Sequence, residues 1–171
     1  CVKPKETLVL EVEDAPSGQI KRKGDYRDRS KIPFGNPVVG PIYIEGAEKG
    51  TAISIMVEEV KPTAGQGVTY FSEFSERYLT DVPVFNFIEK SLPREPKICK
   101  IKDGQVYFDS IALPYQPMIG TIGVAPHPEA ESISSGVLPG RHGGNMDLPD
   151  IAPRSMVLLP VFHSGALLYV G

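Results

Sequence analysis

Nine consecutive residues, Pro139-Gly140-Arg141-His142-Gly143-Gly144-Asn145-Met146-Asp147, hold an imidazole, an amide, a carboxylate and several glycines. His and Asp suit metal binding or proton transfer, and Asn suits orienting a carbonyl or amide. Glycine permits backbone with φ > 0 and close approach of other groups. The stretch reads as a loop that folds its polar side chains onto one point, which neither a helix nor a strand does at spacings of three and five. The plain alternative is a Gly-rich surface turn with a hydrogen-bonded His.

The elements around this loop read as strands. Pro and Gly, 17 of each among 171 residues, leave little room for long helices. Thr7–Glu13 alternates, with Leu8, Leu10 and Val12 on one face. Pro41–Glu45 and Ala52–Val60 read as two strands joined by a short loop, with Ile53, Ile55 and Val57 on one side. Phe71–Leu79 reads as a short helix and Val82–Ile88 as an edge strand. Lys97–Lys102 and Gln105–Phe108 form the clearest hairpin, because Asp103-Gly104 supplies the two φ > 0 residues of a type I′ turn. In the apolar stretch Ile111–Pro126, Gly120 and Gly123 mark a bulge or a close approach by backbone or ligand. They lack the spacing of a phosphate loop. Met156–Phe162 and Ala166–Val170 close the chain as strands joined at His163-Ser164-Gly165.

Many short strands between Gly/Pro turns predict a mainly β fold with little helix, a sandwich or barrel, as one β-rich domain over 1–171. A hydrophobic fraction of 41% and a charged fraction of 23% read as a globular chain. The net charge of −3 argues against nucleic acid or an anionic membrane, and no apolar run approaches the ~20 residues of a membrane span. Cys1 and Cys99 lack metal-type spacing and fit a reducing compartment. The chain opens on Cys and stops within an apolar strand, so a fragment or processed chain is expected.

Four ordered stretches resemble the acetamidase/formamidase family. Asn36-Pro37-Val38-Val39-Gly40-Pro41-Ile42-Tyr43-Ile44-Glu45-Gly46-Ala47 looks like its early signature. Pro117-Met118-Ile119-Gly120-Thr121-Ile122-Gly123-Val124-Ala125-Pro126 resembles the central one, Pro139–Asp147 the most diagnostic loop, and Pro160–Gly171 the next strand pair. The resemblance implies a β-sandwich of jelly-roll or CUB-like type, part of a larger α+β enzyme. It implies hydrolysis of short linear amides to ammonia and a carboxylic acid, with a divalent metal, zinc or alternatively calcium. A cytoplasmic homo-oligomer acting on a small amide is expected, with no nucleic-acid or membrane partner. This chain departs from the family at Arg141, where Pro is usual, and at His163-Ser164. Family members also continue past Gly171 into an Asp/His-containing segment expected to supply metal ligands.

In this picture His142 and Asp147 are metal ligands, or one is a ligand and the other a proton shuttle. Asn145 is a third ligand or bonds the substrate amide. The N–H groups of Gly143 and Gly144 face a developing oxyanion. A catalytic zinc takes three protein ligands plus water, so others come from elsewhere. His127 and His163 are candidates, although both read more simply as structural residues. Ser132, Ser134 and Ser135 lack a nucleophile-elbow pattern, and Cys99 reads as a core strand residue. Glu129 and Glu131 precede the loop closely enough to approach it. The competing functions are a non-enzymatic β-sandwich binding module and one piece of a two-piece enzyme.

Overall fold

The structure is a computed structural model that describes residues 1–70, 95–130, 133, 135–136 and 138–171. The two elements expected at 71–79 and 82–88 lie outside the described residues. All regular structure among the described residues is strand: β1 (Val39–Ile42), β2 (Ala52–Met56), β3 (Gln66–Thr69), β4 (Lys97–Lys102), β5 (Gln105–Phe108), β6 (Ile111–Pro114), β7 (Thr121–Gly123), β8 (Gly143–Asn145), β9 (Met156–Pro160) and β10 (Leu168–Val170). No described helix is long and apolar enough to cross a membrane. The mainly β expectation holds, and the sheets stay open.

The chain divides into two compact units. One comprises residues 1–18, 29–61 and 116–171, and the other residues 19–28 and 62–115. The second carries the antiparallel meander β3-β4-β5-β6. The hairpin β4–β5 falls where Asp103-Gly104 predicts it, with φ of 52° and 72° at the turn. Cys99 is buried on β4, as a core strand residue would be. Strand β3 occupies the end of a stretch, Pro62 to Gly67, whose Pro and Gly read as loop. Its pairing with β4 overrides that local signal.

The first unit holds a four-stranded sheet, β1-β10-β7-β8, and a two-stranded sheet, β2-β9. Both sheets feed one core. Ile122, Leu168 and Val170 from the larger sheet join Leu159 from β9 and the flanking Val57, Val124, Ile151 and Val161. The expected strands at 41–45 and 52–60 both form, the first shifted to Val39–Ile42 and the second starting at Ala52 but ending at Met56. They do not pair with each other: β1 pairs with β10 and β2 with β9. The terminal strands likewise separate into different sheets. Local sequence marks a strand, whereas its partner is chosen by which apolar faces can be buried together.

Thr7–Glu13 is the clearest correction. Leu8 and Leu10 are half-buried and Val9 is exposed, but Val12 is exposed too, so the alternation stops at Leu10, and the segment joins no ladder. Leu10 packs on the core without any strand lending it hydrogen bonds. Periodicity reports which side is buried, and pairing requires a neighbouring strand as well.

Ile122 has no exposed surface and sits in the middle strand pair of the larger sheet. Ile122→Ala removes buried methylene groups and leaves a cavity. The expected cost is about 2–5 kcal/mol, read as a lower urea midpoint at unchanged m-value.

Candidate active site

The focal loop contains a strand. Gly143–Asn145 forms β8 at the sheet edge, antiparallel to β7, with Thr121 opposite Asn145, Ile122 opposite Gly144 and Gly123 opposite Gly143. Before it, Gly140 and Gly143 exchange backbone hydrogen bonds of 2.9 and 3.0 Å, closing a tight turn around Arg141-His142. After it, the N–H groups of Met146 and Asp147 both donate to the Gly120 carbonyl at 3.0 Å.

His142 is the buried member, with 4% of its surface exposed. Its carbonyl accepts from the Val124 N–H at 2.9 Å, which continues the pairing of this segment with β7 by one residue. The ring lies between two glycines. A Cβ on Gly140 would stand 3.0 Å from Nδ1, and one on Gly144 would stand 3.1 Å from Nε2. Those glycines are thus the space that the imidazole occupies. Nε2 is buried without a hydrogen-bond partner. Such an orphaned polar atom costs about 1–3 kcal/mol.

Burial also pushes the His142 pKa below its usual 6.5. The ring is therefore neutral at pH 7, the form that ligates a metal or accepts a proton. Unfolding releases it to take up a proton at its ordinary pKa, so the unfolded chain binds more protons in acid. The metal-free protein is expected to lose stability as pH falls below about 6.5. Urea unfolding at stepped pH checks this, and His142→Gln should flatten the slope.

Asn145 stands on β8 opposite Thr121. Its Oδ1 accepts from Thr121 Oγ1 at 2.9 Å and from Asn36 Nδ2 at 3.2 Å. Two donors on one oxygen fix the orientation of the amide. Its NH2 group then remains to donate to a carbonyl oxygen. Asp147 is exposed just beyond the strand at φ 48°, with Oδ1 3.0 Å from where a Gly120 Cβ would be. His142 and Asp147 thus meet different surroundings, one between Gly140 and Gly144 and the other over Gly120. The stretch expected as a loop contains the strand β8.

The backbone donors also fall differently. The Gly143 N–H is engaged by the Gly140 carbonyl and is not free for an oxyanion, and Gly144 stands in the ladder opposite Ile122. The remaining histidines make local contacts. His163 Nε2 lies 2.8 Å from the Pro126 carbonyl, and His127 accepts from the Glu129 N–H and packs edge-on against Phe162. No group of three or more His, Cys, Asp and Glu side chains able to hold a metal occurs among the described residues. The described residues therefore offer one open buried ligand atom, His142 Nε2, and not a full zinc set.

Three residues near the site escape sequence reasoning: Asn36, Thr121 and Tyr169. Each lies in a stretch read as a strand or signature, but their meeting depends on contacts up to 109 positions apart. No local pattern marks such a pairing.

The sequence pattern of the acetamidase/formamidase family matches residues 1–134. This chain belongs to the acetamidase/formamidase family. Among solved structures, it is similar to an acetamidase from Bacillus halodurans, with a TM-score of 0.81 and 34% identity over 99% of this chain and 54% of that one. An acetamidase from Yersinia enterocolitica gives 0.79 and 34%, covering 99% and 52%. A predicted acetamidase/formamidase from the thermophile Thermoanaerobacter tengcongensis gives 0.76 and 38%, covering 93% and 49%. This chain spans about half the length of these structures. Comparison with curated proteins finds no match.

Proposed function

We propose that the chain is the β-rich part of an amidohydrolase that cleaves short linear amides, formamide and acetamide among them, to a carboxylic acid and ammonia. Family membership supports the reaction class. The observation that carries the site is the buried, unpartnered Nε2 of His142. A neutral imidazole held there by the glycine turn is suited to ligate a divalent metal, zinc or calcium, with further ligands from outside the described residues. It is equally suited to take a proton. A bound metal would supply Lewis acidity and a water of lowered pKa.

The chain's own residues have distinct tasks in this reading. Asn145, its oxygen occupied by Thr121 and Asn36, donates from its NH2 to the substrate carbonyl. Gly143 and Gly144 shape the backbone that keeps the substrate amide close. Asp147, exposed and unencumbered by burial, serves as a second ligand or carries a proton to the leaving nitrogen. Water's oxygen bonds to the carbonyl carbon, the C–N bond breaks, and the nitrogen leaves as ammonia after gaining a proton. The same reading makes the protein a cytoplasmic homo-oligomer with a small amide as its substrate.

The test is ammonia release from formamide and acetamide by the full-length protein, before and after exhaustive chelation. Release that falls on chelation and returns with metal is the expected result. No release from either amide, across zinc, calcium and other divalent ions, would reject the amidase reading.

A further inference from the structure

The sheet face that carries Asn145 also carries a hollow that none of the assignments above uses. Its cavity volume is about 280 Å³, and Val38, Gly40, Pro41, Ile133, Ser135 and Tyr169 line it. Val38, just before β1, and Gly40 and Pro41 on it meet Tyr169 of β10 along the hollow, where the β1 register shifts between Val39 and Ile42. Thr121, Gly123 and Asn145 share that face by register with β10 and β8.

Two glycines on flanking strands make room for Tyr169. A Cβ on Gly40 would meet the Tyr169 Cβ at 3.0 Å, and one on Gly123 would meet its hydroxyl at 2.6 Å. The ring therefore lies across the sheet from β1 toward β7. Burial raises the Tyr169 pKa, which keeps the phenol protonated and able to donate at neutral pH. Ser135 forms the opposite rim. Its hydroxyl donates to the Asn36 carbonyl at 2.6 Å, and the Asn36 side chain donates in turn to Asn145. One residue, Asn36, thus ties the wall of the hollow to the amide proposed to hold the substrate carbonyl.

We infer that this hollow is an acyl subsite, which takes the apolar chain of a neutral linear carboxamide longer than acetamide. The inference rests on the amidase reading and names its substrate class. None of the lining side chains carries a charge, which favours a neutral amide over its carboxylate product. Val38, Pro41 and Ile133 supply apolar walls for methylene groups, while the Tyr169 and Ser135 hydroxyls remain polar at the rim. The volume exceeds what formamide fills, and an unfilled apolar wall forgoes its contacts. One methylene in such a pocket discriminates by about 10–200-fold.

Binding and turnover are to be measured separately on the full-length protein, with formamide, acetamide, propionamide and butyramide as probes. Calorimetry should show butyramide binding at least tenfold more tightly than formamide. Ile133→Trp, which fills the hollow from a partly exposed position, should remove that preference in binding and in the butyramide-to-formamide ratio of kcat/KM. Ile133→Ala should keep butyramide binding. Equal affinity for all four amides, or a preference unchanged by Ile133→Trp, overturns the subsite. Length-dependent binding without ammonia release leaves the subsite standing and overturns the amidase reading instead.

Discussion

Full-length protein carrying His142→Ala is expected to release ammonia from formamide about 10²–10⁴-fold more slowly than the parent, the range for loss of a positioned proton-transfer group. The argument starts from solvation. A buried nitrogen with no partner is unfavourable, so its retention at the centre of a glycine turn calls for a partner that the turn itself does not provide. A metal ion or a substrate proton meets that need. Because alanine also leaves a cavity where the ring was, His142→Gln is the companion variant. It fills much of the space and retains a polar end, but it has no imidazole nitrogen. Circular dichroism and the urea midpoint then separate folding from chemistry. If His142→Gln folds normally and turns over within a few-fold of the parent, the imidazole has no chemical role and is a packed core residue. Asp147→Ala, at an exposed position, should spare stability and still lower turnover by orders of magnitude. Near-parental activity there removes the carboxylate from the site.

The largest expected effect on folding comes from a single added methyl group, in Gly143→Ala. The new Cβ would overlap the Ile122 carbonyl oxygen and stand 3.0 Å from both the Gly123 Cα and a Leu159 methyl. Most of those neighbours are backbone, and the Ile122 strand cannot retreat without opening the core it covers. Gly143 also has φ of 82°, a conformation that L side chains resist. Left-handed strain and overpacking together predict a loss of about 2–5 kcal/mol. Gly104→Ala is the matched control. It has φ of 72° and nothing within 4 Å of its Cβ, so only strain remains, about 1–2 kcal/mol. Denaturant unfolding of both variants reads the difference. Equal midpoints would mean that β8 yields freely and that the turn is not held against the core.

Much of the local structure is legible in the residues. The Asp103-Gly104 hairpin lies where its turn chemistry puts it, since two residues with φ > 0 leave few alternatives. Gly123 marks a close approach, as a strand glycine tends to, and the approaching groups are the Tyr169 ring and the Gly144 backbone. Two of the four signatures, 36–47 and 117–126, fall within the residues that the family pattern matches. The glycine-rich stretch misleads in one respect. Three glycines beside an imidazole read as a loop, yet β7 recruits Gly143–Asn145 into a ladder.

By itself, then, the order of residues determined the β character, the tight turns and the kinship, all of which depend on neighbours a few positions apart. Only the tertiary structure decided that His142 is buried between Gly140 and Gly144, that Asn145 is braced by Asn36 and Thr121, and that β1 and β2 enter separate sheets. Those outcomes follow from the burial of apolar faces contributed by distant segments, and no short window of sequence contains both partners.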